Sequence, residues 1–99
     1  MGLTKTPAYT AEQLQYAALF KALGHPARIA ILQKLMDINC CIGREFTEDM
    51  DLSQPTIARH LKELRAAGLI SGTVDGNSMK YCIANTYRDR IRLFFANCC

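Results

Sequence analysis

The five cysteines carry the most distinctive chemistry in this sequence. Two adjacent pairs, Cys40–Cys41 and Cys98–Cys99, are accompanied by a single Cys82. Soft ions select thiolates, and three converging sulfurs suit trivalent arsenic or antimony. Zinc more often brings histidine and carboxylate ligands, whereas His25 and His60 have no metal-ligand spacing to another candidate residue. These residue types therefore predict a thiolate site for As(III) or Sb(III) rather than a zinc site.

The sequence predicts that these cysteines are free thiols. Their odd number, the adjacent pairs and the lack of an apolar signal region argue against a secreted disulfide framework. Adjacent residues lie about 3.8 Å apart at Cα, below the usual disulfide range of about 4.4–6.8 Å. Cys82, within a predicted strand, is expected to be a small hydrophobic residue. Two alternatives remain for the paired cysteines: incidental packing, or oxidant or persulfide sensing through a bridge from Cys40 or Cys41 to Cys98 or Cys99.

The charged residues are distributed unevenly along the chain. Residues 1–52 carry five basic and six acidic side chains, whereas residues 53–99 carry seven basic and three acidic ones. The first half therefore has a net charge of −1 and the second half +4. A polyanionic partner is expected to meet the second half.

The length of 99 residues predicts one domain spanning residues 1–99. Residues 1–9 are expected to form a flexible N-terminus and residues 97–99 a C-terminal thiol tail. No apolar run approaches the roughly 20 residues that span a bilayer. Together with the missing signal peptide, this predicts a cytoplasmic protein without a membrane partner.

Capping and periodicity predict the elements that must position the reactive residues. Thr10 and Gln13 form a capping-box pattern, Ser53 is a good N-cap, and Asp75-Gly76 between two alternating runs is typical of a hairpin. The prediction is a mainly α fold with a small β-hairpin (α+β). Helices are expected at about Ala11–Leu23, Pro26–Met36, Arg44–Met50, Gln54–Ala67 and from about Tyr87, and strands at Leu69–Val74 and Ser78–Ile83.

The helices over about 44–50 and 54–67, joined by a tight turn, have helix-turn-helix proportions. In such a pair the second helix enters the major groove of DNA and its first residues contact base edges. Ile57, Leu61 and Leu64 form an apolar stripe that predicts the core side of this helix. We expect DNA contacts from the outward side, made by Ser53, Gln54, Thr56, Arg59, His60 and Lys62.

The hairpin is predicted to act as a wing beside this helix. Its tip, at residues 75–78, and the following Lys80 would touch the DNA backbone or minor groove, with Asn77 and Lys80 as the candidate contacts. An ordinary connecting hairpin is the alternative. The whole order of elements is that of a winged helix-turn-helix domain.

Two segments, LFKALGHPARIAIL (Leu19–Leu32) and LSQPTIARHLKELRAAGLI (Leu52–Ile70), closely resemble the arsenic-repressor (ArsR/SmtB) family. The resemblance covers roughly residues 10–95. It implies a homodimer joined by its first and last helices, and a repressor that a thiophilic ion or another signal releases from a palindromic operator. It also implies a DNA-facing set, which is Ser53, Gln54, Thr56, Arg59 and His60.

The cysteine pattern departs from that of the family. Arsenic sensors of the family often carry Cys-x-Cys at the start of the helix before the recognition helix, and here Cys41 fits the first position but Gly43 occupies the second. The pair at Cys98–Cys99 resembles cysteine pairs that some members hold at the last helix. The preferred hypothesis is a site made of Cys98, Cys99 and a third thiol from Cys40 or Cys41 of either chain.

Other functional classes have less support in the sequence. There is no C-x-x-C motif, phosphate-binding loop or Cys-His-Asn/Asp combination, so an enzyme is not expected. No cofactor is expected to be required for DNA binding. A winged-helix module that makes only protein–protein contacts remains an alternative to a repressor.

Overall fold

The computed structural model describes residues 8–42, 46, 48 and 50–97, and the side chains of residues 40–42 and 75 lie outside the description. The predicted combination of helices with a β-hairpin is confirmed. The elements, in chain order, are α1 (Ala11–Leu23), α2 (Pro26–Ile38), β1 (Cys40–Ile42), α3 (Gln54–Ala66), β2 (Ile70–Asp75), β3 (Ser78–Ile83) and α4 (Thr86–Ala96).

The first helices begin at residues whose side chains cap them. At the start of α1, the Gln13 N–H donates to Thr10 Oγ1 at 3.0 Å, and the Thr10 N–H donates to Gln13 Oε1 at 2.9 Å. His25 caps α2 through Nδ1, and Ser53 caps α3 by accepting from the Thr56 N–H at 3.4 Å. These bonds satisfy amide groups that have no intrahelical acceptor. The predicted starts of these helices therefore coincide with the observed ones.

Strands β2 and β3 form the predicted hairpin. Ile70 pairs with Ile83 at its open end, and Asp75 pairs with Ser78 across the turn. Gly76 lies in this turn with a φ of 64°, a conformation that glycine adopts without steric strain. The Asp-Gly signal thus gave the correct position of the turn.

Residues 40–42 lie in none of the predicted helices and strands, yet they form strand β1. They pair antiparallel with Cys82, Tyr81 and Lys80, so the sheet has three strands in the order β1-β3-β2. Three residues are too few to show an alternating pattern in the sequence. The strand forms because the hairpin, which is distant in sequence, offers it the free edge of β3.

The predicted short helix over residues 44–50 falls largely outside the described residues. Phe46 and Glu48 are helical, and Phe46 is fully buried. The described residues contain four helices where five were predicted. Within that part of the chain, no helix is both long and apolar enough to cross a membrane.

The hydrophobic core joins α2 and α3 to the sheet and to α1. Helix α2 contributes three buried residues, which are Ile31, Leu32 and Leu35. Burial of such side chains is the main favourable term in folding. Because both α2 and α3 contribute to this core, the rotation of α3 about its own axis is fixed. The fully buried side chains are Leu19, Ile31, Leu35, Phe46, Ile57, Leu64 and Leu69.

Candidate nucleic-acid interface

Helix α3 has one buried and one exposed face. Ile57, Leu61 and Leu64 are at most 2% exposed, and residues at spacings of three and four share one side of a helix. Apart from the half-buried Thr56 and the buried His60, the remaining positions point to solvent and are mostly polar. The exposed side chains are Gln54, Pro55, Ala58, Arg59, Lys62, Glu63, Arg65 and Ala66.

Most of the predicted DNA contacts lie at the exposed start of α3. Ser53, Gln54, Arg59 and Lys62 are exposed, and Thr56 is half-buried. Ser53 Oγ lies 2.9 Å from Thr56 Oγ1 at the helix N-terminus, where free amide groups and the helix dipole favour a phosphate. Glutamine and arginine can form paired hydrogen bonds with adenine and guanine edges. The geometry permits DNA contact by these residues, and their role stays a prediction.

His60 does not lie on this exposed face. Its side chain is only 7% exposed, so the prediction that it points outward is wrong. His60 follows Ile57 by three residues and precedes Leu64 by four, a spacing that places it on the buried side of the helix. The sequence therefore held a signal for its burial, which the polar character of histidine obscured.

The buried His60 joins α3 to the start of α2. Arg28 Nε donates to His60 Nδ1 at 3.2 Å, and Arg28 Nη1 donates to the Ala22 carbonyl at 3.3 Å. The His25 and His60 rings lie 4.4 Å apart between centroids. His25 also has a structural role, because its Nδ1 accepts from the Ala27 N–H at the start of α2. We refer to His25, Arg28 and His60 as the polar joint.

The polar joint favours the neutral form of His60. Burial lowers the pKa of His60 below its usual value, and His25, Arg28 and Arg59 lower it further because a second positive charge nearby is unfavourable. The hydrogen bond from Arg28 also needs a lone pair on Nδ1, which protonation of that atom would remove. The joint is therefore complete only while His60 is uncharged.

The wing residues are positioned by the hairpin register. Asn77 lies exposed in the turn after Gly76, and Lys80 is exposed in the middle of β3. Lys80 pairs with Thr73 of β2 and Ile42 of β1. Both predicted wing contacts are thus accessible to a partner, and contact with DNA by either residue stays a prediction.

The cysteines differ from their predicted state at one position. Cys82 forms a disulfide bond, so the expectation of a free thiol or a simple hydrophobic residue is wrong there. The side chains of Cys40 and Cys41, and the whole of Cys98 and Cys99, lie outside the described residues. Among the residues that are described, no three histidine, cysteine or acidic side chains are grouped to hold a metal ion. The soft-ion site stays a prediction.

Helices α1 and α4 together present an aromatic surface. The Phe94 ring lies 4.9 Å from Tyr16 and 5.1 Å from Phe20 between centroids, and Tyr16 Oη donates to the Arg90 carbonyl at 3.1 Å. An open groove of about 530 Å³ runs between the two helices, and Leu93 beside it is 57% exposed. Exposed apolar surface of this kind is typical of an interaction site. We refer to it as the α1–α4 face.

Comparison with known proteins places the fold in a family. A sequence profile described as "Bacterial regulatory protein, arsR family" matches residues 25–71. Rv0081 of Mycobacterium tuberculosis, an uncharacterized HTH-type transcriptional regulator, is 40% identical over 68 residues, which cover 69% of this chain and 60% of that protein. This chain superposes on the crystal structure of Rv0081 with a TM-score of 0.70 and 31% sequence identity. The superposition covers 90% of this chain and 93% of the crystallised chain.

Two further relatives agree with that assignment. The HTH-type transcriptional repressor SmtB of Mycobacterium tuberculosis is 35% identical over 75 residues, or 76% of this chain and 55% of that protein. The sequence alignments with Rv0081 and SmtB each span less than two thirds of the relative's full length. MJ1325 of Methanocaldococcus jannaschii, an uncharacterized HTH-type transcriptional regulator, is 32% identical over 77% of this chain and 82% of that protein. These relatives are regulators rather than enzymes, and this chain belongs to the arsR family of bacterial regulatory proteins.

Proposed function

We propose that this chain is a transcriptional repressor that binds duplex DNA as a homodimer through α3 and the wing. The observation that carries the proposal is the exposed polar start of α3, which the buried stripe on the opposite side holds outward. In helix-turn-helix proteins, residues at this position of the second helix contact base edges in the major groove. Membership of the arsR family and the names of its relatives support the same function.

The side chains of α3 are suited to different parts of the DNA. Arg59 and Gln54 can bind a guanine and an adenine edge in the major groove. The helix N-terminus at Ser53 can hold a backbone phosphate, which fixes the register of the protein on the duplex. Asn77 and Lys80 of the wing would then reach the neighbouring backbone or minor groove.

The second copy is proposed to pack on the α1–α4 face. Large aromatic side chains contribute most strongly to interfaces when a partner covers them. Here Leu93 and Phe95 are each 57% exposed, and Leu14 is 51% exposed. A twofold pair would present two α3 helices to a palindromic operator, with half-sites about 34 Å apart, one turn of the duplex.

Fluorescence anisotropy with a labelled duplex from upstream of the coding sequence tests the DNA-binding proposal. We expect Arg59→Ala to weaken binding about 10-fold, since one good base contact contributes roughly 1–3 kcal/mol. Arg88→Ala, an exposed arginine at the start of α4, is the matched control and should change affinity less than about 2-fold. Binding should also weaken as salt rises, because neutralised phosphates release counterions.

Two results would contradict the DNA-binding proposal. Equal losses in the Arg59 and Arg88 variants would show that only net charge matters, and not the exposed face of α3. A failure of the wild-type chain to retain any duplex would favour the alternative of a protein-interaction module.

A thiophilic ion, most simply arsenite or antimonite, is the proposed inducer. It would be held by Cys98, Cys99 and a third thiol from Cys40 or Cys41, because three thiolates suit these trivalent ions. Helix α4 ends at Ala96, and one residue separates it from Cys98. An ion bound by Cys98 and Cys99 would therefore act on a helix of the α1–α4 face. An ion that binds the DNA-incompetent form more tightly by a few kcal/mol weakens operator binding by about 100-fold or more.

A repressor that responds to oxidants or persulfides is a second candidate. The disulfide at Cys82 favours this candidate, because a thiol of this chain is already paired in the folded protein. The same anisotropy assay separates the two, with arsenite, cadmium, zinc and peroxide added in turn. For the ion proposal, arsenite should release wild-type protein from DNA and leave Cys98→Ser/Cys99→Ser bound. Release by peroxide alone would replace it with the oxidant proposal, and indifference to all four reagents would remove both while leaving DNA binding intact.

A further inference from the structure

The side chain of Arg65, near the end of α3, lies across the wing. A Cβ atom on residue 72 of β2 would be 3.0 Å from Arg65 Nε and 3.3 Å from Arg65 Cδ. The same atom would be 3.1 Å from Met79 Cε of β3. The stem of Arg65 therefore passes directly over the backbone at Gly72, beside the Met79 side chain.

Gly72 provides the space that this arrangement needs. Any side chain at residue 72 would press on both Arg65 and Met79. Left-handed backbone is not the reason for this glycine, because the glycines with positive φ among the described residues are Gly68 and Gly76. Gly72 is paired with β3 within the hairpin, and a glycine inside a strand often marks a close approach by another group. The missing side chain thus lets α3 and the wing meet through Arg65.

The charge of Arg65 is available to a partner. Arg65 is exposed, and no described residue forms a hydrogen bond or an ion pair with its side chain. Glu63 lines a groove with Lys21 and Arg28 on another side of α3, because residues two apart do not share a helix face. Lys62, three residues before Arg65, is exposed and does share its face. The side of α3 next to the wing therefore carries two positive charges.

The position of Arg65 suits the DNA strand that runs between the helix and the wing. One phosphodiester strand separates a major groove from the adjacent minor groove, so a helix in the first and a wing at the second lie on either side of it. Arg65 is about 16 Å from Gln54 along the axis of α3, whereas the major groove is roughly 8.5 Å deep. Where α3 enters by its first turn, its last turn lies at the rim of the groove, among phosphates.

We propose that Arg65 binds a phosphate of this strand, and that Gly72 makes room for Arg65 to do so. The inference rests on the proposed binding of DNA by α3 and the wing. A guanidinium binds phosphate oxygens through two parallel N–H donors, and a stem already packed on the hairpin loses less freedom on binding. A phosphate contact carries no sequence information, so Arg65 contributes affinity for any duplex.

Anisotropy at several salt concentrations tests the contact, with the upstream duplex and a shuffled duplex of the same composition. We expect Arg65→Gln to weaken binding to both duplexes about 5-fold and to lower the slope of log K against log salt by about 0.9 per subunit. Arg65→Lys should keep most of the affinity, because lysine also binds phosphate as a point charge. Arg88→Gln makes the same change of charge at an exposed position of α4 and should change affinity less than about 2-fold.

Gly72→Val tests the role of the space without changing any charge. The valine should displace Arg65 and weaken binding to both duplexes about 3-fold, but cause no further loss in a chain that already carries Arg65→Gln. Ser71→Val places the same side chain on the opposite face of β2 and is the matched control. Additive losses for Gly72→Val and Arg65→Gln, or equal losses for the two valine variants, overturn the role of Gly72.

Three results overturn the phosphate contact. Equal small losses in Arg65→Gln and Arg88→Gln would show that Arg65 does not touch the DNA. A loss confined to the upstream duplex would make Arg65 a base contact instead. If wild-type protein retains neither duplex, the DNA-binding function itself is refuted and the contact with it, whereas a chain that depends on Arg59 but not on Arg65 loses only this inference.

Discussion

Helix α3 is held against the rest of the molecule by two contacts of different kinds. The apolar stripe of Ile57, Leu61 and Leu64 packs in the core, whereas the polar joint uses one hydrogen bond from Arg28 to His60. The stripe has no charge state, but the joint needs an unprotonated histidine. The orientation of this helix therefore has a permanent component and one that depends on the protonation of His60.

Removing the permanent component should have the largest effect. Leu64 is 0% exposed, so Leu64→Ala deletes buried methyl groups and leaves a cavity. We expect it to lower the free energy of unfolding by about 2–5 kcal/mol, measured by urea denaturation. Lys62→Ala, an exposed position of the same helix, should change it by less than about 0.5 kcal/mol. Similar values for both variants would show that α3 is not held by its apolar stripe.

Removing the donor of the polar joint should have a smaller effect. Arg28→Ala leaves His60 Nδ1 without its partner and also removes the bond to the Ala22 carbonyl. A loss of about 1–3 kcal/mol in unfolding free energy is expected, since a group with little access to water loses its hydrogen bond. The control is Arg92→Ala, an exposed arginine of α4. If both variants unfold at the same urea concentration, the joint contributes nothing to stability.

The smallest expected effect is a dependence on pH. The pKa of His60 is lower in the folded chain than its usual value of 6.5, so folding favours the neutral form. Its contribution to stability is complete above about pH 6.5 and is lost as pH falls through the folded pKa. Wild-type protein should therefore lose more stability than His60→Gln on acidification, because glutamine keeps an acceptor and does not titrate. Parallel unfolding curves at all pH values would exclude this role.

Features that depend on neighbours in sequence were predictable. The Thr10 and Ser53 caps gave the starts of α1 and α3, and Asp75-Gly76 gave the hairpin turn. These signals work because a cap or turn is formed by residues within a few positions of each other. The apolar stripe of α3 was found from its spacing for the same reason.

Features that depend on contacts between distant segments were missed. Strand β1 forms because β3 is beside it, and His60 is covered by Arg28 of α2 and by His25, which caps that helix. For the candidate site, the exposure of the polar residues at the start of α3 was predicted correctly. His60, which bonds α3 to α2, was wrongly predicted to be one of these exposed residues.

The bond from Tyr16 to the Arg90 carbonyl has a consequence for the timing of assembly. It connects residues 74 positions apart in sequence, so the α1–α4 face exists only after α4 has been synthesised and docked. A nascent chain on the ribosome can form α1 early, since helix contacts are local, but it cannot complete a surface made by both helices. The proposed pairing with a second copy should therefore follow synthesis of α4, and a chain that stalls before residue 86 should stay monomeric.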